Sequence, residues 1–145
     1  MGDITSFEGE NRWLSNFYPA PVRVFGVTYP TVEHGYVACK TQNPQEREQI
    51  LKCSSPGEVK RIGRRLTLRP GWDEHRLRIM ELLLRQKFFP GSVLEARLLD
   101  TGDCQLVEGN WWKDTFWGVY RGKGENHLGK LLMKIRKEKS LGIRL

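Results

Sequence analysis

One pattern recurs three times in this 145-residue chain and sets most of its fold: a helix start written in side chains. Asn43-Pro44-Gln45-Glu46, Ser55-Pro56-Gly57-Glu58 and Ser92-Val93-Leu94-Glu95 each place a short oxygen-bearing residue three positions before a glutamate. The first side chain can accept from a free N–H of the opening turn, and the acid can reach back to the preceding backbone. Proline at the first helical position brings a suitable φ and removes an N–H that has no helical partner there. The spacing predicts helices near 44–52, 56–64 and 93–99. Between the second and third, Asp73 to Phe88 carries Leu77, Met80, Leu83, Leu84 and Phe88 at helical period, ended by Pro90-Gly91. Leu128, Leu131, Leu132 and Ile135 mark a final helix. Thr31 opens another that is expected to run to about Gln42, with Glu33 in the first turn, where the helix dipole favours an anion.

Strand signals are fewer. Residues 22–29 (VRVFGVTY) alternate around Gly26 and read as a hairpin turning at Phe25-Gly26. Cys104 to Val107 reads as a short strand, and the glycines and aromatics of 109–124 as an irregular loop. The expected fold class is therefore α+β: a helix-dominated single domain over 1–145 with a small antiparallel β-sheet or hairpin.

Composition removes several function classes. No apolar run approaches the roughly 18 residues of a membrane span, and the start MGDITSFEGE is too polar and acidic for a secretory signal. Cys39, Cys53 and Cys104 are odd in number and far apart, which predicts neither a disulfide framework nor a cysteine metal site and fits a reducing cytoplasm. His34, His75 and His127 lack metal-ligand spacing, so no metal is expected. The net charge of +7 gathers in two runs. Lys60, Arg61, Arg64, Arg65 and Arg69 form one; Lys130, Lys134, Arg136, Lys137 and Lys139 form the other. Each reads either as a solvated helix face, the favoured reading for the second, or as a surface for phosphate or nucleic acid.

Three stretches hold more unusual residues than a core needs. In Arg12–Tyr18, Ser15 and Asn16 sit among large aromatics. They read either as a capped turn or as a loop that stacks on a base while Asn16 bonds to it or to a sugar. In Pro30–Lys40, Glu33, Val37 and Lys40 share one helix face by their i, i+4, i+7 spacing, and Lys40 can lean back toward Glu33. The other faces are apolar, and Gly35 weakens the helix by roughly 1 kcal/mol against Ala. A half-buried helix carrying a Glu and a Lys is costly unless they are used. In Leu106–Gly129, three Trp stand within seven residues. There the Asp114 carboxylate could be catalytic or orient a substrate, and the glycines before the last helix could offer N–H groups to phosphate.

Together these stretches resemble the NADAR (YbiA-like) family, from about Phe7 to Arg136. The resemblance is carried by Leu14-Ser15-Asn16-Phe17, by Tyr29-Pro30-Thr31-Val32-Glu33-His34 on to Ala38 and Lys40, and by Arg61 with Gly63-Arg64. Trp72-Asp73, Lys87-Phe88 and Leu106-Val107-Glu108 with Asn110 follow. Asp114, Trp117-Gly118 and Gly124 through Asn126 to Met133 complete it. Glu125 stands where a Lys is common in the family.

The resemblance implies a YbiA-like fold and an N-glycosidase. Its substrate would be a phosphoribosylamino-pyrimidine intermediate of riboflavin biosynthesis or an ADP-ribose attached to guanine in nucleic acid. It also implies roles. Glu33 would stabilise charge at ribose C1 and activate water. Lys40 would either orient Glu33 and the sugar or capture the opened sugar as a Schiff base. Asp114 would be a second carboxylate. Arg61 and Arg64 would grip phosphate, while Asn16, Phe17, His34, Trp117, Gly118 and Asn126 would line the substrate. No cofactor is implied. DNA or RNA contact is open, as is a toxin partner. The rival reading is a non-catalytic module that binds ADP-ribose or nucleic acid.

Overall fold

The computed structural model describes residues 2–142, which fall into two compact units, one drawn from 2–15 and 88–142, the other from 16–87. Taken together they are helix-rich with two small sheets.

The unit 16–87 begins with an antiparallel hairpin of β2 (Val22–Val24) and β3 (Val27–Tyr29), in which Val24 pairs with Val27. Its turn is Phe25-Gly26, with φ of 53° and 72°. Two positive φ values suit the twist of a tight hairpin, but they are uncommon for a phenylalanine. Arg47 holds the Phe25 ring: its guanidinium lies 3.5 Å from the ring centroid and donates Nε and Nη2 to the Thr41 carbonyl.

Helices α1 (Val32–Cys39), α2 (Pro44–Lys52), α3 (Pro56–Gly63) and α4 (Trp72–Lys87) follow. The predicted caps form. Asn43 accepts from the N–H groups of Gln45 and Glu46, and Ser55 accepts from Glu58. The acids answer differently from the expected box. Glu58 reaches Ser54, while Glu46 takes the Thr41 hydroxyl and the Thr67 N–H.

Helix α1 ends three residues earlier than its sequence suggests. Lys40 N–H turns back to the Val37 carbonyl, the Lys40 carbonyl accepts from Arg69 N–H, and Thr41 Oγ1 accepts from Asn43 N–H. These contacts satisfy the helix end from outside it. Gly35 lets α1 lie close to its neighbours: a Cβ there would come within 2.7 Å of Val22 Cγ2 and 3.3 Å of Leu83 Cδ2.

In the other unit, β1 (Ile4–Ser6) pairs with β4 (Leu106–Gly109) in parallel, Ile4 opposite Leu106. Neither β1 nor parallel pairing was expected, and β4 starts two residues later than the predicted strand. Helices α5 (Val93–Asp100) and α6 (His127–Ser140) complete this unit. Ser92 caps α5 by accepting from Glu95 N–H, and Glu95 in turn accepts from Gly91 N–H. Part of the second basic run is structural. Arg136 is buried and donates to Thr101 Oγ1 and the Cys104 carbonyl, and Lys139 pairs with Glu95.

Candidate active site

Helix α1 is buried along its length except at Glu33, and its cap Lys40 is also partly open. Thr31 starts the helix by accepting from His34 N–H. The Glu33 N–H, left over in the first turn, donates to the Asn16 carbonyl at 3.1 Å and so ties the Asn16 loop to the base of the helix.

The Lys40 amine lies 5.4 Å from the Tyr36 ring centroid, and that ring packs against Trp72 at 5.1 Å. Burial pushes the ammonium below its ordinary lysine value. Glu33 pulls it back up, while Lys60, Arg64 and Arg76 push it further down. One carboxylate thus faces a group of four cations. A lowered pKa moves the amine in the direction a nucleophile needs, and cations near it suit an anionic substrate.

The basic run of α3 divides. Arg64 acts on Lys40, whereas the charge of Arg61 acts on the Cys53 thiol. Lys60 and Arg76 join the Lys40 group, a placement the sequence reading missed. Lys60 precedes Arg64 by one helical turn and could have been found by that spacing. Arg76 comes from α4, and nothing local links it to Lys40.

Asn16 is buried, with 9 % of its surface exposed. Its Nδ2 donates to Met80 Sδ at 3.5 Å, and its Oδ1 has no hydrogen-bond partner. An unsatisfied buried acceptor is costly and suits a ligand donor. Phe17 beside it is 40 % exposed. His34 is fully buried, and both ring nitrogens are engaged. Thr31 Oγ1 accepts from the His34 N–H and donates to Nδ1, so Nε2–H donates to the Cys53 carbonyl and the ring is neutral. Burial holds its pKa below the ordinary histidine value. In this position His34 joins α1 to the end of α2. Lys87, at the end of α4, is buried as well; burial lowers its pKa to about 7, and its amine lies 5.8 Å from the Tyr18 ring.

The remaining candidates lie in the other unit, within the loop before α6. Asp114 Oδ1 accepts from the N–H groups of Phe116 and Trp117, at 3.1 and 2.9 Å. Asn110 closes the same turn by accepting from Asp114 N–H and donating to the Asp114 carbonyl. Gly118 is required by close approach, since a Cβ there would overlap the Glu108 carboxylate and carbonyl. Asn126, with φ of 53°, accepts from Glu108 N–H and donates to the Leu106 carbonyl. At the start of α6, four N–H groups are taken up by the loop. Those of Glu125, Asn126, His127 and Leu128 donate to the carbonyls of Thr115, Gly118, Phe116 and Trp117.

The NADAR domain family matches residues 5–139. The chain is 40 % identical over 128 residues to N-glycosidase YbiA of Escherichia coli (strain K12), covering 86 % of this chain and 79 % of that one. It is 36 % identical over 129 residues to riboflavin biosynthesis protein VVA0006 of Vibrio vulnificus, covering 87 % of this chain but only 35 % of that longer protein. The NMR structure of E. coli YbiA superposes with a TM-score of 0.83 at 36 % identity, over 98 % of this chain and 88 % of that one. The fold and these relatives define an enzyme of the glycosidase class. The chain belongs to the NADAR family.

Proposed function

We propose that this chain hydrolyses the N-glycosidic bond between a 5′-phosphorylated ribose or ADP-ribose and an amino group of a base. The observation that carries the reading is the opening of Glu33 and Lys40 on an otherwise buried helix, with the charges of Lys60, Arg64 and Arg76 acting on the amine. A carboxylate can stabilise the cation that develops at C1 and take a proton from attacking water. Water then supplies OH to C1 and a proton to the departing amine.

The downward direction of the Lys40 pKa supports a covalent route beside the simple orientation of Glu33 and the sugar. In the ring-opened sugar, neutral Nζ adds to C1, the base leaves as its amine, and water hydrolyses the lysine imine to the free sugar. Lys60, Arg64 and Arg76 would take the phosphate, with Arg61 in a lesser role. Asn16 Oδ1 would accept from a substrate hydroxyl or amine, with Phe17 against sugar or base. The bonds of Asp114, Gly118 and Asn126 favour a part in shaping the Trp117 turn over direct chemistry, and His34 a part in holding α1.

The substrate class includes ADP-ribosyl-guanine in nucleic acid and phosphoribosylamino-pyrimidines. The names of the relatives, N-glycosidase and riboflavin biosynthesis protein, support the class. The family match runs through both units, which supports their working as one domain. A cytoplasmic location is part of the proposal, supported by three free buried thiols. Among the described residues no helix is long and apolar enough to cross a membrane.

The test offers both substrates side by side and identifies the released base. Wild type is expected to release it from at least one, and Glu33→Gln to lose most of that release. Saturable binding without any released base would assign the chain to the non-catalytic binding module instead.

A further inference from the structure

The loop after β4 presents an indole outward. Trp111 is 73 % exposed, and it meets Trp112 edge-on, at 5.5 Å between ring centroids. An indole this open offers a broad flat face to a ligand. The loop beneath it is well fixed. Gly109 and Val119 form a parallel bridge, with Asn110 N–H donating to the Val119 carbonyl and Val119 N–H to the Glu108 carbonyl. Because that pairing is parallel, the segments that follow, 111–113 and 120–123, leave it from the same end. The second is a tight turn in which Tyr120 and Lys123 exchange both backbone hydrogen bonds.

Three cations are carried on these two turns. Lys113, Arg121 and Lys123 are all exposed, and Arg121 lies 5.2 Å from the Tyr120 ring centroid. Lys113 and Arg121 have φ of 68° and 51°, an uncommon backbone state for side chains of this size. The nearby acids are Asp114, whose Oδ1 is turned onto backbone N–H groups, and Glu125, whose carboxylate lies 3.6 Å from His127 Nε2. The loop end therefore offers one flat ring and net positive charge.

We propose that this loop end is a stacking platform for single-stranded nucleic acid, with Trp111 under one base and Lys113, Arg121 and Lys123 on the backbone phosphates. Stacking tolerates any base, and the cations make the contact dependent on salt. A duplex hides its base faces and fits this platform poorly. The inference deepens the proposed function, on whose nucleic-acid-linked substrate it rests, and because its test uses unmodified DNA its failure is distinguishable from failure of the glycosidase reading.

The experiment measures fluorescence anisotropy of a labelled eight-nucleotide thymidine strand, beside a strand of equal length with abasic sites in place of bases. Wild type is expected to bind the thymidine strand roughly ten-fold more tightly than the abasic one, a typical yield for one stacked base. In Trp111→Ala that preference should vanish, while Trp111→Phe keeps part of it. The abasic strand serves as an internal control, because it still reads the phosphate contacts in each variant. Lys113→Gln and Arg121→Gln should weaken both strands alike and flatten the salt dependence. Equal affinity of wild type for the two strands, or a preference unchanged in Trp111→Ala, would overturn the proposal.

Discussion

Gly63 faces Lys40 across the contact of α3 with α1: a Cβ on Gly63 would lie 3.6 Å from the Lys40 amine and 3.2 Å from Val37 Cγ1. The glycine leaves the amine its space. It also lets the helix bearing Lys60 come close enough for that charge to be felt at Lys40.

Gly63→Ala therefore tests how finely the amine is placed. Alanine gains helix propensity of about 1 kcal/mol, which offsets part of an overpacking cost of about 1–3 kcal/mol. Chemical unfolding should show a net change of at most about 2 kcal/mol. Turnover should fall further, by about ten-fold or more, because a small displacement of a reacting group is costly. Full turnover in this variant would mean that the position of the amine does not matter.

Glu33 is the group that holds the Lys40 pKa up against burial and three cations. Replacing it by Gln should lower that pKa further. For an amine that must be neutral to react, the rising limb of kcat/KM with pH follows the lysine pKa. Residual activity of Glu33→Gln should therefore rise at lower pH than in wild type. A limb that moves to higher pH would separate the two residues. Borohydride trapping should label wild type, and the label should be absent in Lys40→Ala.

His34 gives the fold a defined response to acid. Its folded pKa lies below the ordinary value of 6.5, and burial is the largest cause. Below pH 6.5 the unfolded chain takes up a proton that the folded ring does not, so ΔG of unfolding falls as pH falls toward the folded pKa. Above pH 6.5 the contribution is fully present. Urea unfolding should show wild type losing more stability between pH 7.5 and 5.5 than His34→Gln loses over the same interval. At pH 7.5 the variant should itself be weaker by about 1–3 kcal/mol, through broken bonds to Thr31 and the Cys53 carbonyl. Parallel pH slopes would show that His34 is not the sensor.

Two glycines make a matched pair for the loop before α6. Gly118→Ala would drive a methyl group into Glu108 and should cost at least about 3 kcal/mol, as large local clashes do. Gly57 has nothing within 4 Å of its Cβ position and no positive φ, so Gly57→Ala should be neutral or stabilise by up to about 1 kcal/mol. Thermal unfolding of both variants checks this. A tolerated Gly118→Ala would mean that the loop rearranges easily.

What the sequence made legible was local. Asn43, Ser55 and Ser92 cap helices because a side chain and an N–H three residues away meet without help from elsewhere. Phe25-Gly26 could be read as the turn because the alternating run breaks there around a glycine. The pairing of Ile4 with Leu106 was not legible, since a three-residue strand carries little pattern and its partner lies a hundred residues on. The early end of α1 was hidden because Arg69 determines it from outside. In the candidate site, the Glu33–Lys40 face could be read from helical spacing. The arrival of Arg76 could not, nor the bonds that occupy Asp114, Asn126 and His34, which depend on how separate segments fold onto one another.

The strand pairing β1–β4 also sets an order on synthesis. Residues 16–87 form one unit from a continuous stretch, so every part of it has been made once Lys87 is added. The other unit must wait for both ends of the chain. At about 5–20 residues per second, Ile4–Ser6 emerges roughly 5–20 seconds before Leu106 exists to pair with it. During that interval the nascent chain carries an unsatisfied strand edge that another chain could take. Asp3, Glu8 and Glu10 flank it, and charge beside an edge is one way that proteins discourage such pairing.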